Sequence, residues 1–146
     1  MNYLLLKSGE EKYWYELDDE GYANRQIILD EHCQIHVSCL EDCLAEGPIN
    51  EEDIDSSINN LSKLDFDNLW INTLKKYERS WEEIKKKYPI DVYVYGKYSY
   101  SYPQGSIIKG DDFIAIYKGD DLFCLNHLVR YKVKSYDDTN MWLVVE

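Results

Sequence analysis

Residues 90–117 read IDVYVYGKYSYSYPQGSIIKGDDFIAIY. Apolar and polar side chains alternate through this stretch with a period of two. Ile90, Val92 and Val94 fall on one face, and Asp91, Tyr93 and Tyr95 fall on the other. Gly96 follows. Tyr98–Tyr102 alternates strictly, and Pro103-Gln104-Gly105 turns the chain. Ser106–Lys109 and Phe113–Tyr117 read as the next strands. Leu122–Leu125, Val129–Ser135 and Met141–Val145 read as three more. Short strands at this spacing, with no helix among them, predict a small barrel over 90–146.

Upstream, Asp65–Lys87 reads as one long amphipathic helix. Phe66, Leu69, Ile71 or Thr73, Leu74, Tyr77, Trp81 and Ile84 recur at three- and four-residue steps. Ser62 and Asp65 have the spacing of a capping box. Lys85, Lys86 and Lys87 complement the negative end of the helix, and Pro89 stops it.

The first third alternates like sheet. Asn2–Leu6, Lys12–Leu17, Tyr22–Leu29 and Cys33–Cys39 read as strands of an antiparallel meander. Asp18-Asp19-Glu20-Gly21 is a turn with a glycine available for positive φ. Glu41–Ser57 has little periodicity and reads as an acidic loop with a turn of helix. The expected fold class is α+β. An acidic meander (1–60) and a connecting helix (61–89) precede the barrel (90–146). The expectation is one compact unit, because each half is small for a core of its own.

Within the barrel segment a family resemblance appears. Gly96, then Pro103-Gln104-Gly105-Ser106-Ile107-Ile108, then Phe113-Ile114-Ala115-Ile116-Tyr117 resembles the opening of a ribosomal S-one-type OB-fold domain. Tyr131–Val144, with its Asp137-Asp138-Thr139-Asn140 turn, resembles the last two strands of that domain. A small closed barrel needs glycine where strands bend sharply, and alternate residues to fill its interior. The resemblance implies single-stranded RNA binding, with Tyr98, Tyr100, Phe113, His127 and Arg130 as stacking or phosphate contacts. Two departures stand out. The turn that often carries an aromatic reads Pro103-Gln104-Gly105-Ser106, and Ala115 stands where the family commonly has glycine. The whole arrangement also resembles small bacterial immunity proteins of toxin–immunity pairs, which are acidic and β-rich.

Composition sets the boundaries of function. The 146 residues are 45% apolar, 14% aromatic and 30% charged, with a formal net charge of −12. That balance is globular. It opposes general nucleic-acid binding, which rests on Lys and Arg neutralising phosphates. It opposes docking on anionic lipid and favours a cationic partner. No run of apolar residues reaches the roughly 18 needed to span a bilayer. The N-terminus lacks the basic region of a signal peptide, so the expectation is a cytosolic protein with reduced cysteines and no membrane partner. The charge is concentrated: residues 10–55 hold fifteen acids against Lys12 and Arg25.

Catalytic and metal chemistry find little support. His32, Cys33, His36, Cys39 and Cys43 are metal-capable residues within a short stretch, but they form no Cys-x2-Cys knuckle. On an extended strand Cys33 and Cys39 stand about 20 Å apart. Buried thiols and a surface histidine are the expected outcome, with no metal and no cofactor. Cys124 and His127 do not make a nucleophile–base dyad, and no Gly-x-Ser-x-Gly context is present. Acid pairs such as Asp111-Asp112, Asp120-Asp121 and Asp137-Asp138 sit in turns, where carboxylates are ordinarily solvated. Lys75, Lys76, Arg79 and Lys85–Lys87 read as a solvated helix face, with Glu82 and Glu83 available for pairing.

The leading expectation is therefore a non-catalytic immunity protein that blocks a basic toxin domain, for instance a nuclease. Asp18, Asp19, Glu20, Glu41, Asp42, Glu46, Glu51, Glu52 and Asp53 would imitate phosphate charge. Fourteen tyrosines supply interface rings. The alternative is the RNA-binding module named above.

Overall fold

The computed structural model describes residues 1–50, 57–121 and 124–146. The protein is mixed α+β. It divides into two compact units, Met1–Leu74 and Lys75–Glu146. The division runs through the helical stretch that the sequence reading treated as a connector.

The first unit is a five-stranded sheet in the order β4-β3-β2-β1-β5, antiparallel throughout. Its strands are β1 (Asn2–Ser8), β2 (Glu11–Leu17), β3 (Ala23–Leu29), β4 (Ile35–Val37) and β5 (Ser57–Leu61). The first three fall where strands were expected, but burial runs through consecutive residues, Tyr15–Leu17 and Arg25–Ile27, so both faces of the sheet are covered there. The fourth is shorter than the expected Cys33–Cys39, because Cys33 lies in a turn at φ 60°. Residues Ser57–Leu61 pair with β1, which local periodicity did not reveal. Their sequence, SINNL, is mostly polar, so only the partner strand defines them.

Helix α1 (Lys63–Leu74) starts where Ser62 Oγ accepts the Asp65 amide at 3.0 Å. It buries Phe66, Trp70 and Leu74, one every fourth residue, and leaves Leu64 and Ile71 exposed. Tyr3 from β1 meets the Phe66 ring at 5.5 Å. Beside them lies a buried ion cluster. The Arg25 guanidinium donates to both oxygens of Glu16, at 2.9 and 2.6 Å, and to Asp67 at 2.7 Å. It also lies over the Phe66 and Trp70 rings at 4.9 and 5.1 Å. Glu16 and Arg25 are each only 8% exposed, so this pairing is what makes their burial tolerable.

The helical stretch runs without a gap from Lys63 to Lys87, but its winding changes on the way. A 3-10 turn at Lys75–Tyr77 separates α1 from α2 (Glu78–Lys87).

The second unit contains α2 and five strands: β6 (Tyr93–Tyr102), β7 (Gly105–Lys109), β8 (Ile114–Tyr117), β9 (Leu128–Asp137) and β10 (Trp142–Val145). They close a ring in the order β10-β8-β7-β6-β9, with β8 and β10 parallel and every other pair antiparallel. Of the expected Leu122–Leu125 strand, Leu122 and Phe123 lie outside the described residues, and Cys124 and Leu125 are not strand. The ring is filled by Val94, Ile108, Ala115, Val129, Val133, Leu143 and Val145, with Phe113 and Trp81 among them. Gly96 is required by space: a Cβ there would stand 2.7 Å from Ile108 Cγ2 and 2.9 Å from the Lys109 carbonyl.

Polar contacts tie α2 to the strands. Trp81 Nε1 and Lys85 Nζ both donate to Asp138 Oδ1, at 2.8 and 2.9 Å. Tyr88 and Lys87 donate to the two oxygens of Asp112. The Tyr136 hydroxyl donates to the Tyr88 carbonyl at 2.8 Å. No helix, among the described residues, is long and apolar enough to cross a membrane.

Candidate functional site

The candidate acids belong to the first unit, and of the RNA-contact candidates on the second only Arg130 joins its strip of exposed rings and cations. On the first, the candidate acids divide by what they touch. Asp18 is spent on its own turn: its Oδ1 accepts the Glu20 and Tyr22 amides, both at 2.9 Å. This Asx-type turn occupies one of its two carboxylate oxygens. Asp19 stands 3.6 Å from the N-terminal ammonium and is almost fully exposed. Glu41 meets His36 Nδ1 at 2.8 Å. Glu20, Asp42 and Glu46 are exposed, and no cation pairs with them among the described residues. Glu51, Glu52 and Asp53 lie outside the described residues.

The segment that carries Glu41, Asp42 and Glu46 is anchored to the sheet. The Gln26 amide donates to Ser38 Oγ at 3.1 Å, and the Ala45 amide donates to Gln26 Oε1 at 2.7 Å. Cys39 before Glu41 and Leu44 after it are buried. Cys43 is half-buried, and burial, reinforced by Glu41 and Asp42, pushes its thiol up to about 12. A thiol held protonated is a poor metal ligand and a poor nucleophile.

His36 is the centre of this region. Asp30 Oδ2 lies 2.8 Å from its Nε2, opposite Glu41 on Nδ1. Asp30 and Glu41 hold the imidazole pKa above the ordinary histidine value, Asp30 contributing most. Asp30 is lowered in turn, first by His36 and then by the Gln34 amide. Among the described residues no group of three or more His, Cys, Asp or Glu side chains is arranged to hold a metal ion. Cys33 is exposed in its turn while Cys39 is buried, and the four cysteines form no disulfide. Sequence reasoning passed over Asp30. Its signal was an aspartate at the close of a strand, followed after two and four residues by amides that it caps.

The second surface is the outside of β6 and β9. Tyr93 stands opposite Lys132, Tyr95 opposite Arg130, and Lys97 opposite Leu128. Tyr93 is 46% exposed and Tyr95 61%. The Arg130 guanidinium lies 3.7 Å from the Tyr93 ring centre and 6.0 Å from that of Tyr95, and Lys132 Nζ lies 5.3 Å from Tyr93. The result is a strip of aromatic rings and cations on two adjacent strands.

The other RNA-contact candidates fare differently. Tyr98 is half-buried, and its hydroxyl bonds Ser101 at 3.0 Å. Tyr100 is half-buried against Tyr102 and Lys109. His127 is exposed in the turn before β9. Phe113 is only 7% exposed and packs edge-on to Tyr88 at 4.9 Å. It fills the barrel core and presents no stacking face, which corrects its place among the candidates. Period-two alternation had already put Tyr93 and Tyr95 on one face. The register against β9, which sets Arg130 and Lys132 beside them, was not readable locally.

A scan of protein-family models finds none that matches the chain, and a search of curated proteins finds no match.

Proposed function

We propose that the chain is a non-catalytic binding protein of the bacterial immunity type, whose first unit engages a basic toxin domain. The observation that carries this reading is the charge of that unit. It holds seventeen acids and four bases, and Glu20, Asp42 and Glu46 stand exposed with no cation against them among the described residues. Such a surface attracts a basic protein, speeds its encounter and rejects acidic competitors. A toxin cleft that accepts phosphate would accept these carboxylates. The test uses the full chain as bait in its native cell, beside a triple variant carrying Glu20→Lys, Asp42→Lys and Glu46→Lys. A stoichiometric basic protein should co-elute with the wild type and be lost from the variant. Equal recovery on both would defeat the reading.

A second reading belongs to the second unit. Its strand order, with the parallel closure of β8 on β10, supports assignment to the five-stranded OB class. The strip of Tyr93, Tyr95, Lys97, Arg130 and Lys132 favours single-stranded RNA as its ligand. Salt-dependent retention of an RNA oligomer, weakened by Arg130→Ala with Tyr95→Ala, would support this reading. No retention at low salt would exclude it.

A further inference from the structure

The arrangement around His36 has a chemical requirement of its own. An ionised carboxylate only accepts hydrogen bonds, and a neutral imidazole has one N–H to give. Here both ring nitrogens stand 2.8 Å from a carboxylate oxygen, Asp30 Oδ2 on one side and Glu41 Oε2 on the other. Both contacts are made only by the protonated ring, which donates from each nitrogen.

The two carboxylates belong to different pieces of chain. Asp30 closes β3, and its other oxygen accepts the His32 and Gln34 amides at 2.8 and 2.9 Å, fixing the β3–β4 turn. Glu41 opens the acidic segment after β4, and its own amide donates to the Val37 carbonyl at 3.0 Å. The imidazolium therefore ties the turn before β4 to the segment after it.

We propose that Asp30, His36 and Glu41 form a proton-held clasp that fixes the acidic segment on the first unit, and that the clasp opens when His36 loses its proton. The proposal deepens the reading of this unit as the partner surface, and rests on that reading for its consequence: Asp42 and Glu46 ride on the clasped segment.

The nearby carboxylates raise His36, against a smaller opposing effect of burial. In the turn, Glu31 lies beside His32 at 3.5 Å. In the acidic segment, Asp42 and Cys43 follow Glu41. Across the sheet, His36 is opposite Ile28, which is opposite Tyr13, whose hydroxyl donates to Glu11. Cys43 and Tyr13 are held neutral, and the carboxylates Asp30 and Glu41 are what favour the charged ring. A histidine raised in this way contributes its full stabilisation below the unfolded value of about 6.5, and loses it as pH rises through the higher folded value. Above that point the ring keeps one hydrogen bond and turns a bare nitrogen lone pair to the other carboxylate.

The test is a ring-nitrogen NMR titration of the full chain, with amide protection of residues 41–46 followed over the same pH interval. His36 should titrate above about 6.5. Glu41→Gln and Asp30→Asn should each lower its midpoint. Protection of 41–46 should fall as the ring deprotonates. A midpoint at or below about 6.5, a midpoint that neither variant moves, or protection that ignores the titration would each overturn the clasp. Glu41 is exposed, so its variant keeps the test open if Asp30→Asn disturbs the turn. The partner-capture experiment uses Glu20, Asp42 and Glu46 and leaves the three clasp residues intact, so the two ideas fail separately.

Discussion

The two units are nearly equal in length, yet they handle charge in opposite ways. The second has eleven acids and twelve bases, and several of its carboxylates find local cations: Asp112 with Lys87, Asp138 with Lys85, Glu83 with Arg79. The first has seventeen acids and four bases, so local pairing runs short. Arg25 serves both Glu16 and Asp67, and Lys63 serves Asp67 again. Asp18 and Asp30 turn to backbone amides, and Glu41 turns to a histidine. Among the described residues, Glu20, Asp42 and Glu46 are left facing solvent. A surplus that the fold does not absorb is the physical motive for assigning the partner surface to this unit.

The largest expected effect probes the place where the first unit concentrates its few cations. Arg25→Ala leaves Glu16 buried without its partner and should cost about 3–5 kcal/mol. Denaturant unfolding measures the loss. Hydrogen exchange should show it in β1–β3, with β6–β10 retaining protection. A cost below about 1 kcal/mol, the range of an exposed pair, would mean the cluster is not a core element.

The matching strike on the second unit is steric. Gly96→Ala drives a Cβ into Ile108 and the Lys109 carbonyl, and should cost about 1–3 kcal/mol, with protection lost from β6 and β7. An unchanged melting curve would show that the strands yield there.

Acid sharpens the contrast next. Lys63 first, then Arg25, hold the Asp67 carboxyl below its ordinary value. A carboxylate lowered in this way stabilises the folded state fully above the unfolded value of about 3.9, and the contribution disappears as pH falls through the folded one. Asp67→Asn should remove that part of the acid sensitivity. An identical acid limb in the variant would contradict the assignment.

The smallest effect belongs to the exposed strip. Arg130→Ala should change stability by about 0.5–1 kcal/mol, since its cation–ring contact lies at the surface. A larger loss would make the strip a structural element.

These contrasts also mark what could be read in advance. The strands β1–β3 and most of the barrel followed from short apolar and aromatic runs between turn residues; β6 alternates in burial at its start, whereas Tyr15–Leu17 and Arg25–Ile27 are buried on both faces of their strands. The capping of α1 by Ser62 was written in the spacing to Asp65. Trp70 was absent from the predicted apolar face. It is buried in the row Phe66–Trp70–Leu74, while Ile71, included in that face, is exposed. β5 escaped notice because SINNL owes its strand to β1 and not to its own side chains. At the acidic surface the composition was legible, but the division of labour was not. Whether an aspartate builds a turn like Asp18, holds a histidine like Asp30 or faces water depends on groups that folding brings to it.

The central claim is that the first unit is the partner surface. Zero-length carbodiimide cross-linking of the full chain to its captured partner, read by mass spectrometry, tests it directly. Amide links from partner lysines to Glu20, Asp42 and Glu46 are the expected result. Links confined to Lys97 and Lys132 on the barrel strip, or nuclease-sensitive RNA in place of a protein, would contradict it.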